Sequence, residues 1–464
     1  MTLENYIDSI RNKRIAVIGY GVSNRPLVNL LLSAGCRVTV CDQRSREKLG
    51  TSADELESSG AELCLGSEYL NTLDHELIFR TPGLMPFDKH LQSARERGAV
   101  ITSEMEVFFS LCPCKTIAIT GSDGKTTTTT IISELLKAQG YTVHLGGNIG
   151  HPLLCKIPNI TEDDIAVLEL SSFQLHSMNC RPDIAVITNV SPNHLDKHRD
   201  YQDYVDAKSY ILKNQDHTCR LVLNANDGQT AAFSVQAKAE LSYFSDRPNI
   251  DNGVFSSDGM IFRIGENKLL PIMSEEEILL PGKHNVLNYM AAFEATRDLV
   301  SDVVCRKVAS SFRGVEHRLE RVRELNGVIY INDAIGTSPS RTIAGLHSLK
   351  TRPILIAGGY DKHIPFDALG EEICRNTKEV FLSGETAEKI RDAIFSASSY
   401  RETKVPVHIL ERFDDAVHSA CASAQEGDVV LMSPACASFD QFANFEEKGK
   451  YYKKLILSLP EVKS

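Results

Sequence analysis

Thr116-Ile-Ala-Ile-Thr-Gly-Ser-Asp-Gly-Lys-Thr126 decides the fold of this chain. A short apolar strand runs into two glycines, a lysine and a hydroxyl, and a helical pattern through Ile131, Ile132, Leu135 and Leu136 follows at once. That order makes a phosphate loop. The glycines let backbone N–H groups approach phosphate oxygens, Lys125 brings a cation to the β- and γ-phosphates, and the Thr126 hydroxyl can ligate Mg2+. The helix N-terminus adds its dipole to the same site. Gly121, Ser122, Asp123, Gly124, Lys125, Thr126 and Thr127 are therefore the candidate nucleotide contacts. The general pattern would place Gly at 119, where Ile119 stands. Five consecutive threonines, 126–130, open the helix although β-branched residues are mediocre helix formers, so a functional demand for a hydroxyl is expected at Thr126.

Outward from this loop, strand and helix patterns alternate in both directions. Towards the N-terminus lie Ile15-Ala-Val-Ile18, a helical stretch through Leu27, Leu30 and Leu31, Val38-Thr-Val-Cys41, Leu77-Ile-Phe79 and Val100-Ile-Thr102. Towards the C-terminus lie Ile165-Ala-Val-Leu168, Ile184-Ala-Val-Ile187 and Leu221-Val-Leu223, then short strands between about 240 and 275 with a turn at Ser257-Asp-Gly259, and a helix from roughly Asn285 to Leu299. Beyond Val315, Arg321–Leu325 and Val328–Ile331 flank Asn326-Gly327, a type I′ hairpin signal. Strands then follow at 353–357, 380–382, 407–410 and 429–432. Alternation of this kind builds parallel sheets covered by helices. The 464 residues suit about three domains. The expected class is α/β: a Rossmann-like domain over 1–105, a central P-loop ATPase-like parallel sheet over 106–314 and a Rossmann-like domain over 315–464.

Composition narrows the partners. Fifty Lys+Arg against 61 Asp+Glu leave a net charge of −11, a poor footing for nonspecific nucleic-acid binding. No apolar run approaches the ~20 residues of a membrane span, and the first residues lack the apolar segment of a secretory signal, so no membrane partner and a cytoplasmic location are expected. The 12 cysteines are scattered, with Cys112 and Cys114 on either side of Pro113. That is neither a zinc spacing nor a dense disulfide framework.

Several polar residues end strands. Glu169 can hold Mg2+ opposite Thr126, although a Glu in such a place is more often a solvated turn residue. His194 and Asp196 follow the strand 184–187; Lys208, on the next helix, has the ordinary reading of a solvated helix face. Gly19-Tyr-Gly21-Val-Ser-Asn24, with Asp42 at a strand end, has the form of a dinucleotide fingerprint in which Asn24 replaces the third glycine. By itself it favours NAD.

Together the motifs resemble the Mur ligase family. The segments that carry the resemblance are Thr120–Thr127, Gly146-Gly-Asn-Ile-Gly150, Glu169-Leu-Ser-Ser-Phe-Gln174, Asn193-His-Leu-Asp196, Pro281-Gly-Lys-His-Asn285, His317-Arg-Leu-Glu320, Asn332-Asp333 and Ser433-Pro-Ala-Cys-Ala-Ser-Phe-Asp-Gln-Phe442. They span nearly the whole chain in order, and the last points to the D-glutamate-adding member. The resemblance implies ATP-driven amide formation through an acyl phosphate, joining UDP-N-acetylmuramoyl-L-alanine to D-glutamate in peptidoglycan synthesis, by a monomer.

It also implies roles. Lys125, Lys208 and His194 are catalytic; Thr126, Glu169, His194 and Lys208 serve two Mg2+ sites, with Lys208 converted to a carbamate because an ammonium cannot ligate a cation. Asn285, Arg318 and Asp333 join the loop in binding ATP. Val22, Ser23, Asp42, Gly83 and Asn148 contact the UDP substrate, in place of NAD, and Thr337, Lys362, Ser438 and Phe445 grip D-glutamate. Two segments depart from the family. Ala334-Ile-Gly-Thr337 has Ile335 where a lysine is usual, with Arg341 as the replacement candidate, and Gly358-Gly-Tyr-Asp-Lys362 differs before its lysine. Another Mur ligase, the related folylpolyglutamate synthetase, an NAD-dependent dehydrogenase and a non-catalytic nucleotide binder are the competing readings.

Overall fold

The computed structural model of the chain describes residues 1–193, 197–265, 268–280, 282–361 and 364–460. It divides into two compact units, Met1–Phe312 and Arg313–Ser464.

The first unit holds two sheets among the described residues. Five parallel strands form one, in the order Glu62–Leu65, Arg37–Asp42, Arg14–Ile18, Leu77–Phe79, Val100–Thr102. Its central strand is buried on both faces, which is why Ile15–Ile18 is a continuous apolar run rather than an alternating one. The second sheet has nine strands, ordered Leu269–Ser274, Met260–Ile264, Gly253–Ser257, Glu240–Ser245, Arg220–Asn224, Ile184–Ile187, Lys115–Thr120, Ile165–Glu169, Val143–Gly147. Seven are parallel, and the two between 260 and 274 close the sheet as an antiparallel meander. The strand Lys115–Thr120 lies between Ile165–Glu169 and Ile184–Ile187, which pair with it on opposite sides. Parallel strands send their carboxyl ends to one edge, so the segments after Thr120, Glu169 and Ile187 all open there, where α/β sheets bind ligands.

Helices Lys125–Gln139 and Lys283–Ala295 cover one face of this sheet through Ile131, Leu135, Tyr289 and Phe293. On the other face a single core runs from Ala118 and Leu168 through Phe108 to Val17 of the first sheet and Leu27 of helix Asn24–Ser33.

The second unit carries six strands, ordered Glu320–Leu325, Val328–Asn332, Val429–Met432, Ile354–Ala357, Glu379–Ser383, Val407–Leu410. The first pair is the expected hairpin, with Asn326 and Gly327 both at positive φ (52° and 73°), and the rest are parallel. Strands Glu62–Leu65 and Val143–Gly147 do not show in the sequence pattern. Both lie at sheet edges and are only partly buried, so neither carries a clean apolar period. No helix among the described residues is long and apolar enough to cross a membrane.

Candidate active site

The phosphate loop is built by close backbone approach. Gly121 has φ +150°, and a Cβ there would sit on the Thr188 hydroxyl; Gly124, the N-cap of helix Lys125–Gln139, has φ +76°, and a Cβ there would meet Asn288 Oδ1. The loop is pinned by its neighbours after strand Ile184–Ile187. Ser122 N donates to Asn189 O (2.9 Å), Asp123 N to Asn189 Oδ1 (2.9 Å) and Thr188 Oγ1 to Asp123 O (2.6 Å). Ser122 Oγ donates to Ser191 O (2.9 Å) and contacts Tyr204 OH (2.8 Å).

Two lysines meet on this loop. Lys125 Nζ donates to the carbonyls of Gly121 (3.0 Å) and Ser122 (2.8 Å). Lys208 Nζ donates to the same Gly121 carbonyl at 2.7 Å and lies 4.5 Å from the centre of the Tyr204 ring. Lys208 is 1% exposed, so the ordinary reading of a solvated helix face does not hold. Burial, and then the Lys125 charge, push its pKa well below the lysine range. Its helix, Tyr201–Ser209, is held down by Asp203, whose carboxylate accepts from His176 Nε2 (3.1 Å), His198 Nδ1 (2.9 Å) and Arg199 Nη2 (2.7 Å).

Glu169 ends the neighbouring strand and is also buried, not solvated. Its Oε1 accepts from Asn148 Nδ2 at 2.8 Å; its Oε2 has no hydrogen-bond partner. A buried carboxylate oxygen left unpaired costs about 1–3 kcal/mol or more, and an oxygen-seeking cation offsets that cost. The residues present therefore fit Mg2+. Asn285 is buried at the start of helix Lys283–Ala295 and accepts from Asn288 Nδ2 (3.2 Å); Asn288 Oδ1 in turn accepts from Thr128 Oγ1 (3.3 Å). Asn288 is one helical turn from Asn285, a spacing that could have flagged it.

A cleft of about 180 Å3 opens between the two sheets of the first unit, lined by Val22, Ser23, Asn24, Arg80, Asn148 and Gln174 among others. It gathers Val22, Ser23 and Asn148 of the expected substrate contacts, while Asp42 and Gly83 do not line it. Asp42 is occupied locally, accepting from Tyr20 N (2.7 Å) and from Arg44 Nε and Nη2 (2.9 and 2.8 Å). Asn24 Nδ2 donates to Ile18 O (2.9 Å) and Gly19 O (3.1 Å), which explains an amide where a dinucleotide fingerprint has glycine. Arg80 carries no sequence signal. It is buried and donates to Leu84 O (3.2 Å), Phe173 O (3.1 Å), Gln174 O (3.3 Å) and His176 O (2.8 Å), with no carboxylate within ion-pair distance among the described residues. Burial pulls its pKa down to about 10.

In the second unit, Asp333 follows strand Val328–Asn332 and accepts from Ser433 Oγ (2.7 Å) and Leu319 N (3.2 Å). Burial pushes its pKa up to about 6, against the opposing charges of Arg318 and Arg341. Arg318 is exposed, and Arg341 Nη1 donates to Ile335 O at 3.2 Å, beside the position where the family lysine is missing. Thr337 lies partly buried in the same loop. Ser438 is 2% exposed with its hydroxyl unpartnered, and Phe445 opens the last helix with its ring 6.3 Å from that of His317. His194 and Lys362 lie outside the described residues.

An α/β sheet with a lysine-bearing phosphate loop and a carboxylate at the neighbouring strand end defines a P-loop nucleotide-binding enzyme. Residues 13–103 match the Mur ligase MurD-like N-terminal domain, 119–296 the Mur ligase middle domain and 317–436 the Mur ligase glutamate ligase domain. The chain belongs to the Mur ligase family. It is 46% identical over 460 residues to the UDP-N-acetylmuramoylalanine--D-glutamate ligase of Ruminiclostridium cellulolyticum, covering 98% of this chain and 99% of the relative. The protein of the same name from Acetivibrio thermocellus is 46% identical over 461 residues, with the same coverage. Two solved structures share the fold at low identity. UDP-N-acetylmuramate-alanine ligase of Thermotoga maritima has a TM-score of 0.53 at 17% identity, covering 96% of this chain and 100% of that one. MurF of Acinetobacter baumannii has a TM-score of 0.55 at 16% identity, covering 95% and 90%.

Proposed function

We propose that the chain is an ATP-dependent ligase that adds D-glutamate to UDP-N-acetylmuramoyl-L-alanine in peptidoglycan synthesis. The observation that carries the chemistry is the convergence of Lys125 and Lys208 on the Gly121 carbonyl, in a site where Glu169 keeps a buried unpaired oxygen. The substrates are read from curated relatives at 46% identity, aligned over 98% of this chain and 99% of each relative.

A carboxylate is a poor acyl donor. Its oxygen attacks the γ-phosphorus of ATP, the bond to ADP breaks, and the acyl phosphate now carries a good leaving group. The D-glutamate amine attacks the acyl carbon, loses a proton and expels phosphate through a tetrahedral intermediate. Both steps gather negative oxygens, so Lys125, anchored at the start of its helix, is assigned to the transferring phosphate. One Mg2+ is assigned to Thr126 and Glu169 and a second to His194 with a carbamate on Lys208, and the ions supply further positive charge to those oxygens. Lys208 suits carbamate formation because its buried amine gives up its proton readily, and a neutral amine is the form that adds to CO2.

Gly121, Ser122, Asp123, Gly124, Thr127, Asn285, Arg318 and Asp333 are the remaining proposed ATP contacts. Val22, Ser23, Asp42, Gly83 and Asn148 are assigned to the UDP substrate, and Thr337, Lys362, Ser438 and Phe445 to D-glutamate. The domain bounds 1–105, 106–314 and 315–464 go with this reading, as do a monomeric state and a cytoplasmic location.

An amino-acid panel with ATP and UDP-N-acetylmuramoyl-L-alanine tests it. Phosphate release is expected with D-glutamate and with no other member, and Lys125→Ala should abolish it. If no amino acid yields ADP and an amide product, the proposal fails.

A further inference from the structure

Cys112 and Cys114 flank Pro113 where helix Glu104–Leu111 gives way to strand Lys115–Thr120. The residue before a proline is driven to extended backbone, and Cys112 (φ −62°, ψ 120°) ends the helix in that way. Pro113 is itself fixed in φ, so a stiff residue separates the two thiols and holds their sulfurs 3.5 Å apart in hydrogen-bond contact. A disulfide needs about 2.05 Å, leaving a gap of roughly 1.5 Å to close by side-chain rotation and a small backbone shift.

We propose that Cys112 and Cys114 form a dithiol site that exchanges with low-molecular-weight disulfides and closes to an intramolecular disulfide. The Cys112 thiolate attacks one sulfur of the small disulfide. A Cys112–sulfur bond forms, the reagent's S–S bond breaks, and one thiolate leaves and takes up a proton. Cys114 then loses its proton, attacks the Cys112 sulfur and expels the second thiol. The reagent is reduced to two thiols, and the pair is oxidised by two electrons.

The environment assigns the order. Cys112 is half-buried at the edge of the core, whereas Cys114 is 6% exposed, so Cys112 is the more accessible of the two. The sulfur–sulfur contact with Cys114 holds the Cys112 thiol below its usual range, and the same contact and then burial push Cys114 up; Cys112 Sγ also reaches the Cys114 carbonyl at 3.7 Å. Burial pushes the thiols of Cys41, Cys180, Cys305 and Cys421 up to about 12, which makes them poor nucleophiles. Nothing in the ligase reaction uses the pair.

The full chain can be incubated with oxidised glutathione, alkylated in denaturant and cut with trypsin. The peptide Gly98–Lys115 contains these two cysteines and no other. It should appear unalkylated and lighter by two hydrogens, and revert on reduction. In Cys114→Ala the same peptide should stop as a glutathione adduct on Cys112. If both cysteines of the native chain remain fully alkylated, or the adduct on Cys112 persists with Cys114 present, the proposal is overturned.

Discussion

Lys125 and Lys208, 83 positions apart in the sequence, donate to one carbonyl oxygen, that of Gly121, at 3.0 and 2.7 Å. Two ammonium groups on one acceptor repel each other, and the buried member resolves the conflict by giving up its proton more readily. The phosphate loop thus carries, beside Lys125, a buried lysine that is easily made neutral.

Lys208→Ala is therefore expected to lose at least about 100-fold in turnover, the scale of losing one electrostatic contributor, and to recover part of it with added short carboxylates. Phosphate release measured with and without acetate checks this. Normal turnover in the variant would remove Lys208 from the chemistry.

Glu169→Gln should raise the Mg2+ concentration needed for half-maximal activity by about tenfold or more. Thermal stability should stay level or rise by about 1 kcal/mol, because a neutral amide replaces a buried carboxylate that has one oxygen unpaired. A magnesium titration alongside melting curves separates the two effects. An unchanged Mg2+ requirement would count against the ligand role.

Gly124→Ala forces a side chain into φ +76° against Asn288 Oδ1. A left-handed residue costs about 1–2 kcal/mol, and Asn288 must also shift away from Thr128. The expected result is a lower melting temperature and a raised KM for ATP, with the KM for the UDP substrate little changed.

Asp333 gives a pH signature. Its folded pKa, about 6, lies above the ordinary value near ~3.9. Between those two the folded chain holds a proton that the unfolded chain has lost. Its contribution is fully present below about pH 4 and is lost as pH rises through about 6, a swing on the order of 3 kcal/mol. Asp333→Asn should remove that slope and melt higher than the native chain at about pH 8 but not at about pH 4, while ATP turnover falls. Parallel melting curves across that range would expose a wrong sign.

Arg80→Met leaves the carbonyls of Phe173, Gln174 and His176 without their donor and should cost about 2–3 kcal/mol. Because Arg80 also lines the cleft, the KM for the UDP substrate should rise while that for ATP holds. Arg80→Lys keeps the charge but cannot span the same carbonyls, so it should rescue the KM more than the stability.

By itself the sequence determined the phosphate loop, the alternation of strand and helix, the Asn326-Gly327 hairpin and the family, because each rests on neighbours along the chain. It could not determine burial. Glu169 and Lys208 are locally indistinguishable from solvated residues at a strand end and on a helix face. They are buried because strands 115–120, 165–169 and 184–187 lie side by side and send their carboxyl ends to one edge. Arg80, Asn288 and the His176–Asp203–His198 anchor arise in the same way. Which polar groups share a low-dielectric space depends on the order of strands in the sheet, and that order is fixed only when distant segments pack together.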